Sequence, residues 1–243
     1  MVIRTDSIEY KAGDVALKGF VAWDDSVKGR RPAVLIVHEW WGISEHIREK
    51  ARALAELGYL AFAVDMFGEG KYTEEPDEAS KMMNEALADP DALEAKLTSA
   101  LAAVRQREEV DGQKISIVGY CFGGAVAIFA ARRGLEFRAA IAFHPGTLEL
   151  GAPAKKGEVK AKVLALAGAD DPMIPEASYE PFKKDLQDAG AEVDLVVYPN
   201  VTHAFTNKAA TERGKKYGLP LAYDAHADAD SWARMRELLA SVS

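Results

Sequence analysis

One cysteine lies in a sequence pattern that is typical of a nucleophile. The stretch Gly119-Tyr120-Cys121-Phe122-Gly123 fits the G-x-S-x-G motif, with cysteine in the serine position. Such a nucleophile sits on a tight turn between a strand and a helix, where flanking glycines avoid a collision. The N–H groups that begin the helix favour a thiolate and a developing oxyanion. A lone cysteine is otherwise most often a small buried apolar residue, so a nucleophile also requires a base and an acid.

The residues around the motif predict the elements that would position Cys121. An apolar, β-branched run at residues 114–118 indicates a buried strand, and small apolar residues from Gly123 to about Arg133 indicate a helix. Along the rest of the chain, apolar strands alternate with amphipathic helices. This alternation predicts one α/β domain over residues 1–243, with a doubly wound, mostly parallel sheet and helices on both faces.

Other stretches predict the remaining architecture. Residues 7–10 and 16–23 indicate a hairpin. Residues 33–38 and 59–64 indicate two strands that are parallel because a helical pattern separates them. Glycine and lysine make residues 207–218 loop-like.

The polar residues that follow the later strands supply candidates for the base and the acid. Catalytic groups of such sheets lie beyond the carboxyl ends of the strands, and His144, Asp170, Asp171 and His203 occupy such positions. The order Cys121, Asp171, His203 is the nucleophile, acid, histidine order of the α/β-hydrolases. In these roles His203 accepts the proton of Cys121 and later donates it to the leaving group, while the acid fixes the imidazole tautomer.

Each assignment has an alternative. His203 could instead cap a loop. His144 precedes Asp171 in the chain and is followed by a proline and a glycine, which favours a structural or pocket-lining role. Asp171 is preferred over Asp170 because the stretch Asp171-Pro172-Met173-Ile174-Pro175 resembles a D-x-x-[VI]-P family pattern.

Together these motifs resemble the dienelactone hydrolase family. The resemblance extends from about residue 7 to 240 and implies an α/β-hydrolase fold, no cofactor, no metal, and hydrolysis of a lactone or related ester. The namesake reaction of the family opens dienelactone, 4-carboxymethylenebut-2-en-4-olide, to maleylacetate. The matching stretches are the G-x-C-x-G-G turn, Asp171 with Pro175, Asn200-Val201-Thr202-His203-Ala204-Phe205, His38-Glu39-Trp40-Trp41-Gly42 and Asp65-Met66-Phe67-Gly68.

The resemblance implies further site residues. A family glutamate at the position of Glu39 pairs with the resting thiol and helps to deprotonate it when substrate enters; a structural or exposed acid is the alternative. The backbone N–H groups of Trp40 and Phe122 would form the oxyanion hole. The side chains expected near the substrate are Trp41, Lys71, Tyr72, His144, Phe205 and Lys208.

One departure from the family concerns the carboxylate of the substrate. Family members hold it with arginines, one of them a few residues past the catalytic histidine, whereas residues 204–208 contain none. Lys71 or Lys208 could substitute as point charges, without bidentate geometry. The absence of these arginines leaves open whether the substrate carries a carboxylate. It has little effect on the predicted hydrolase chemistry.

The composition of the chain limits the classes of molecule it could bind and the cellular compartment we expect for it. A net charge of −8 over 243 residues argues against nucleic acid and against anionic membranes. The single cysteine excludes an internal disulfide, and the N-terminus lacks the apolar core of a signal peptide. We expect a soluble cytoplasmic protein, a monomer or small homo-oligomer that acts on a small molecule. The alternative functions are a general carboxylesterase or thioesterase, and a non-catalytic ligand-binding or redox-sensing protein.

Overall fold

Strands and helices alternate along the chain. The computed structural model describes all residues from Met1 to Ser243 and contains eight strands, seven α-helices and one 3₁₀ turn. The chain divides into two units, Met1–Ile117 and Val118–Ser243. The predicted α/β class is confirmed by the mixture of parallel strands and helices, whereas a single domain over residues 1–243 stays a prediction.

The first unit begins with an antiparallel hairpin. Strands β1 (Ile3–Ala12) and β2 (Val15–Asp24) pair along their full length, and Gly13 takes a left-handed conformation at the turn. The predicted hairpin is therefore confirmed, although both strands are longer than the predicted segments. The charged residues of β1 shortened that prediction, because they face solvent on a strand with only one neighbour.

A strand-helix-strand segment completes the pairing of the first unit. Strand β3 (Arg31–Val37), helix α1 (Glu45–Glu56) and strand β4 (Leu60–Val64) follow one another, and β3 and β4 are parallel, as predicted. β2 pairs antiparallel with β4, so the order is β1-β2-β4-β3. Helices α2 (Pro76–Leu87) and α3 (Pro90–Arg105) follow.

The second unit contains a parallel set of strands and the elements of the nucleophile motif. Strand β5 (Val110–Tyr120) crosses the boundary between the units and leads into helix α4 (Phe122–Arg132), of which every residue is buried. The next three strands are parallel neighbours in chain order: β6 (Ala139–Phe143), β7 (Lys162–Gly168) and β8 (Val193–Tyr198). No helix in the structure is both long and apolar enough to cross a membrane. The remaining elements are the 3₁₀ turn (Glu176–Ser178), α5 (Tyr179–Asp188), α6 (Ala210–Tyr217) and α7 (Ala225–Val242).

The loop predicted over residues 207–218 is wrong, because this stretch contains helix α6. Gly214 made the sequence look unlike a helix. A Cβ atom there would lie 2.4 Å from the carbonyl oxygen of Leu221, so the glycine allows the chain after the helix to approach it closely. The helix ends at Tyr217, and the next residue, Gly218, adopts the left-handed conformation usual after a helix terminus.

Candidate active site

Cys121 lies on the turn between β5 and α4 in a rare backbone conformation. Its φ of 56° and ψ of −116° lie outside the regions that L-residues usually occupy. A Cβ atom on Gly119 would lie 1.8 Å from the carbonyl oxygen of Gly123, so the first glycine of the motif is a steric requirement. Cys121 is also the N-cap of α4, where the helix dipole favours negative charge.

The chain that follows β6 holds the backbone of Cys121 on both sides. The carbonyl oxygen of Phe143 accepts the N–H of Cys121 at 3.1 Å, and the N–H of Gly146 donates to the carbonyl oxygen of Cys121 at 3.0 Å. The two segments touch closely, since a Cβ atom on Gly124 would lie 2.9 Å from the Cα atom of Pro145. The position of the cysteine is thus fixed from outside its own turn.

An acid and a histidine meet beyond the ends of β7 and β8. The Nδ1 atom of His203 lies 2.7 Å from the Oδ2 atom of Asp171, and both side chains are buried. The other carboxylate oxygen of Asp171 accepts the N–H of Met173 at 2.9 Å, which holds the carboxylate in place. Asp170 is exposed, and it is Asp171 that bonds to the imidazole, as the sequence pattern indicated.

The imidazole of His203 interacts electrostatically with Cys121. Burial lowers the pKa of His203, but the negative charge of a Cys121 thiolate, together with Asp171, outweighs burial and raises the pKa from 6.5 to about 10. The Nε2 atom of His203 is buried and makes no hydrogen bond of normal geometry. Cys121, Asp171 and His203 therefore come together within the second unit.

His144 lies beside His203 and bonds to another residue. The two imidazole rings are 5.2 Å apart at an interplanar angle of 69°. The Nε2 atom of His144 lies 2.8 Å from the Oγ1 atom of Thr206, and the ring of Phe205 packs edge-on at 5.1 Å. Both His144 and Phe205 are fully buried. Thr206 was not among the predicted residues, because no motif distinguishes it from an ordinary loop threonine.

Three of the predicted site residues, Glu39, Trp40 and Trp41, lie in the loop that follows β3 in the first unit. Glu39 is 2% exposed, and its carbonyl oxygen accepts the N–H of Gly42 at 3.2 Å. The rings of Trp40 and Trp41 are 4.6 Å apart, with Trp41 buried. A Cβ atom on Gly42 would lie 2.3 Å from the carbonyl oxygen of Lys71, so this loop is held against the segment that contains Lys71.

A second loop of the first unit is organised by Asp65, to which sequence reasoning assigned no role. The Nε2 atom of His38 accepts the N–H of Met66 at 3.3 Å, which links two of the stretches that carry the family resemblance. Burial lowers the pKa of His38 to about 4, so this ring accepts as a neutral group. The carboxylate of Asp65 accepts four backbone N–H groups, from Lys18, Phe67, Gly68 and Gly70.

The remaining predicted side chains are in contact with solvent. Tyr72 is 44% exposed and donates its hydroxyl to Glu74 at 2.7 Å. Lys71 and Lys208 are both exposed. The roles of the predicted residues stay predictions. They are catalysis by Cys121, Asp171 and His203, the acid role of Glu39, the oxyanion N–H groups of Trp40 and Phe122, and substrate contact by Trp41, Lys71, Tyr72, His144, Phe205 and Lys208.

Comparison with known proteins identifies relatives along almost the whole chain. The sequence profile of the dienelactone hydrolase family matches residues 17–243. A protein of Salmonella typhimurium, provisionally named carboxymethylenebutenolidase, is 32% identical over 220 residues, which are 87% of this chain and 78% of that protein. An Escherichia coli protein with the same provisional name is 30% identical over 217 residues, 86% of this chain and 76% of its own. A solved structure, described as a dienelactone hydrolase-like promiscuous phosphotriesterase from metagenomic libraries, matches with a TM-score of 0.93 and 30% identity, covering 100% of this chain and 99% of that one.

Proposed function

The chain belongs to the dienelactone hydrolase family, and we propose that it opens a lactone or small carboxylic ester of the dienelactone type through Cys121, His203 and Asp171. Membership of this family makes it a hydrolase with the predicted α/β-hydrolase fold. The observation that carries the proposed mechanism is the buried bond between His203 and Asp171, in the same unit as a cysteine that begins a helix.

In the first half of the proposed reaction, the sulfur of Cys121 attacks the carbonyl carbon of the ester while the thiol proton is held on Nε2 of His203. The carbonyl electrons move onto oxygen, where the predicted N–H donors stabilise the oxyanion. Cleavage of the carbon–oxygen bond releases an alkoxide that takes the proton from the imidazolium. In a lactone the new alcohol remains part of the acyl group, so the thiol ester holds the whole ring-opened substrate.

In the second half, water attacks the thiol ester and gives its proton to Nε2 of His203. The second tetrahedral intermediate collapses with cleavage of the carbon–sulfur bond, and the product leaves as a carboxylic acid. Asp171 engages Nδ1 throughout, so Nε2 stays free for each transfer. No atom outside the substrate, water and these side chains is needed for the reaction to balance.

A substrate panel tests the proposed activity. We expect the wild-type protein to hydrolyse a dienelactone with a higher kcat/KM than p-nitrophenyl esters of varied chain length. Cys121→Ala should lower kcat/KM by more than about 1,000-fold with an unchanged circular dichroism spectrum, because the nucleophile acts as one unit with its base. Cys121→Ser should retain little activity. Faster hydrolysis of longer acyl esters would favour the carboxylesterase or thioesterase alternative, and no turnover on any ester would favour the non-catalytic one.

Phosphotriesters form a second substrate class to be tested in the same panel. A relative that matches this chain over its whole length is described as a promiscuous phosphotriesterase, which favours a phosphotriester as an additional substrate. Hydrolysis of a p-nitrophenyl phosphotriester that is lost in Cys121→Ala would assign that activity to the same nucleophile. Hydrolysis that survives this substitution would exclude the cysteine mechanism for phosphotriesters.

The resting state of the thiol is tested by alkylation. By the resemblance to the family, Glu39 pairs with a neutral resting thiol, so we expect iodoacetamide to modify Cys121 slowly at neutral pH. A lactone analogue should change that rate in the wild type and less so in Glu39→Gln. Fast modification that no ligand affects would contradict gating. A cytoplasmic location and the oligomeric state stay predictions.

A further inference from the structure

His144 is joined to the cysteine turn through its own backbone neighbours. Phe143 precedes it and accepts the N–H of Cys121, whereas Gly146, two residues later, donates to the carbonyl oxygen of Cys121. His144 itself has a φ of 36°, which is rare for a residue other than glycine. Strain of this kind persists where the surroundings over-determine a conformation, and it is concentrated at functional sites. The histidine therefore projects from a segment whose position is locked to that of the nucleophile.

The side chain of His144 reaches the loop that carries His203. Its ring lies against the His203 ring, with 5.2 Å between the centroids, and its Nε2 atom bonds the Oγ1 atom of Thr206 at 2.8 Å. Thr206 follows His203 by three residues and is 2% exposed, while His144 has no exposed surface. Phe205 packs edge-on against the same ring. One side chain thus connects the cysteine turn to the histidine loop at two points.

We propose that His144 is a positioning residue, whose ring is oriented by Thr206 and fixes the plane of the His203 imidazole relative to the Cys121 turn. This inference rests on the proposed function, in which Nε2 must serve the sulfur, the alkoxide and water in turn. The bond to Asp171 alone leaves the ring free to tilt about the line from Nδ1 to Oδ2. An edge-to-face contact with a second, tethered ring removes that tilt.

The first test separates positioning from a merely structural role. We expect His144→Ala to lower kcat by about 100-fold, because misplacement of a catalytic group by about 1 Å has that effect. KM should change by less than about threefold, because His144 has no exposed surface with which to touch a substrate. The positioning role thus replaces the substrate contact that the sequence suggested for this residue. Thr206→Val, which keeps the shape and removes the bond, should lower kcat by about tenfold. The matched control is Thr202→Val, because the hydroxyl of Thr202 bonds the carbonyl oxygen of Pro220 in the same loop.

A double-mutant cycle of His144 and Thr206 tests whether their effects on kcat are additive, which distinguishes loss of their bond from misfolding. His144→Phe keeps an aromatic ring and removes the bond to Thr206, so its kcat should match that of Thr206→Val. The double variant should be no slower than either single variant, because both remove the same interaction. Additive losses, or single variants within about twofold of the wild type, would overturn the proposal. If His144→Ala fails to fold, His144→Phe and Thr206→Val still decide the question.

A spectroscopic readout keeps this inference independent of the proposed activity. In protein labelled with 15N-histidine, the Nδ1 proton of His203 is identified by its loss in His203→Gln. We expect its signal to shift or broaden in Thr206→Val and His144→Phe but not in Thr202→Val. A protein that hydrolyses no ester but shows these changes would refute the proposed function and retain the positioning role. An active enzyme whose Nδ1 signal and kcat are unchanged in Thr206→Val would refute the positioning role alone.

Discussion

The raised pKa of His203 makes the stability of the folded chain depend on pH. A histidine with a pKa of 6.5 when unfolded and about 10 when folded stabilises the fold fully below pH 6.5. That contribution is lost as the pH rises through about 10, so we expect the free energy of unfolding to decline over this window. Burial alone would lower this pKa, and the charge of a Cys121 thiolate is the largest influence that raises it. The decline therefore requires an ionised sulfur in the resting protein, and a neutral thiol paired with Glu39 would remove most of it.

Cys121→Ala supplies the control for this pH dependence. Without the thiolate charge, the folded pKa of His203 falls, and the decline in stability should begin at a lower pH. Urea denaturation of both proteins between about pH 6 and pH 10 measures the difference, in which titrations common to both cancel. A difference in unfolding free energy that stays constant across this range would contradict the coupling between thiol and imidazole.

Single residues were predictable where a motif or chain order marks them. The glycine pattern marked Cys121, and the D-x-x-[VI]-P pattern chose Asp171, whose carboxylate bonds to His203 while Asp170 is exposed. The contact of His144 with Thr206 could not be predicted, because it depends on how two loops meet in space. No periodic or local signal in the sequence records such a meeting.

At the level of elements, the turn between β5 and α4 depends on its first glycine. In Gly119→Ala, the added Cβ would meet the backbone of Gly123, which belongs to α4 and cannot move aside. We expect this variant to lose more than about 3 kcal/mol of unfolding free energy, measured by chemical denaturation, and most of its activity.

Gly112→Ala is the matched control on the same strand. A Cβ atom there would meet only the Cγ atom of Arg105 at 3.6 Å, which is ordinary contact. Its unfolding free energy should stay within about 1 kcal/mol of the wild type. Equal losses in both variants would mean that any added methyl group disturbs β5, and the steric account of the motif would then be wrong.

Most helices and strands were predictable because their apolar periodicity is strong. The parallel pair β3 and β4 followed from a helical pattern between two apolar runs. Helix α6 was missed, since Gly214 serves a close tertiary contact that looks like a helix breaker in the sequence. Strand β5 begins four residues before the predicted Lys114, because strand pairing extends it beyond its apolar run.

At the scale of the molecule, a buried ion pair holds the long connection between β6 and β7. The Nε atom of Arg132 on α4 bonds Asp185 on α5 at 2.8 Å, and both side chains are largely buried. Arg132 also donates to the carbonyl oxygen of Leu150, while Asp185 accepts the N–H of Ala154. This single pair therefore joins two helices to a segment without regular structure.

Removal of the acid from this pair should destabilise the protein strongly. Asp185→Ala leaves the guanidinium of Arg132 buried without its carboxylate partner, and we expect the free energy of unfolding to fall by about 3–5 kcal/mol. Asp188→Ala removes a partner of the exposed Lys184 from the same helix and should change stability by less than about 0.5 kcal/mol. Thermal and urea unfolding compare the two, and similar effects would show that burial does not set the strength of these pairs.

The chain-wide prediction of an α/β protein rested on alternation and on the family resemblance, which together cover nearly every element. The anchoring of Leu150 and Ala154 by the pair of Arg132 and Asp185 was not predictable, because an arginine at the end of a helix looks like a solvated charge. Buried charges of this kind are recognised only once their partners from distant parts of the chain are known.

The backbone conformation of Cys121 opposes folding stability to catalytic function at this position. Its φ and ψ suit glycine better than any side chain, so Cys121→Gly should be more stable than Cys121→Ala by about 1 kcal/mol or more, although both are inert. Any side chain at this position therefore makes the folded turn less favourable than glycine would, and the sulfur is held there at that energetic cost.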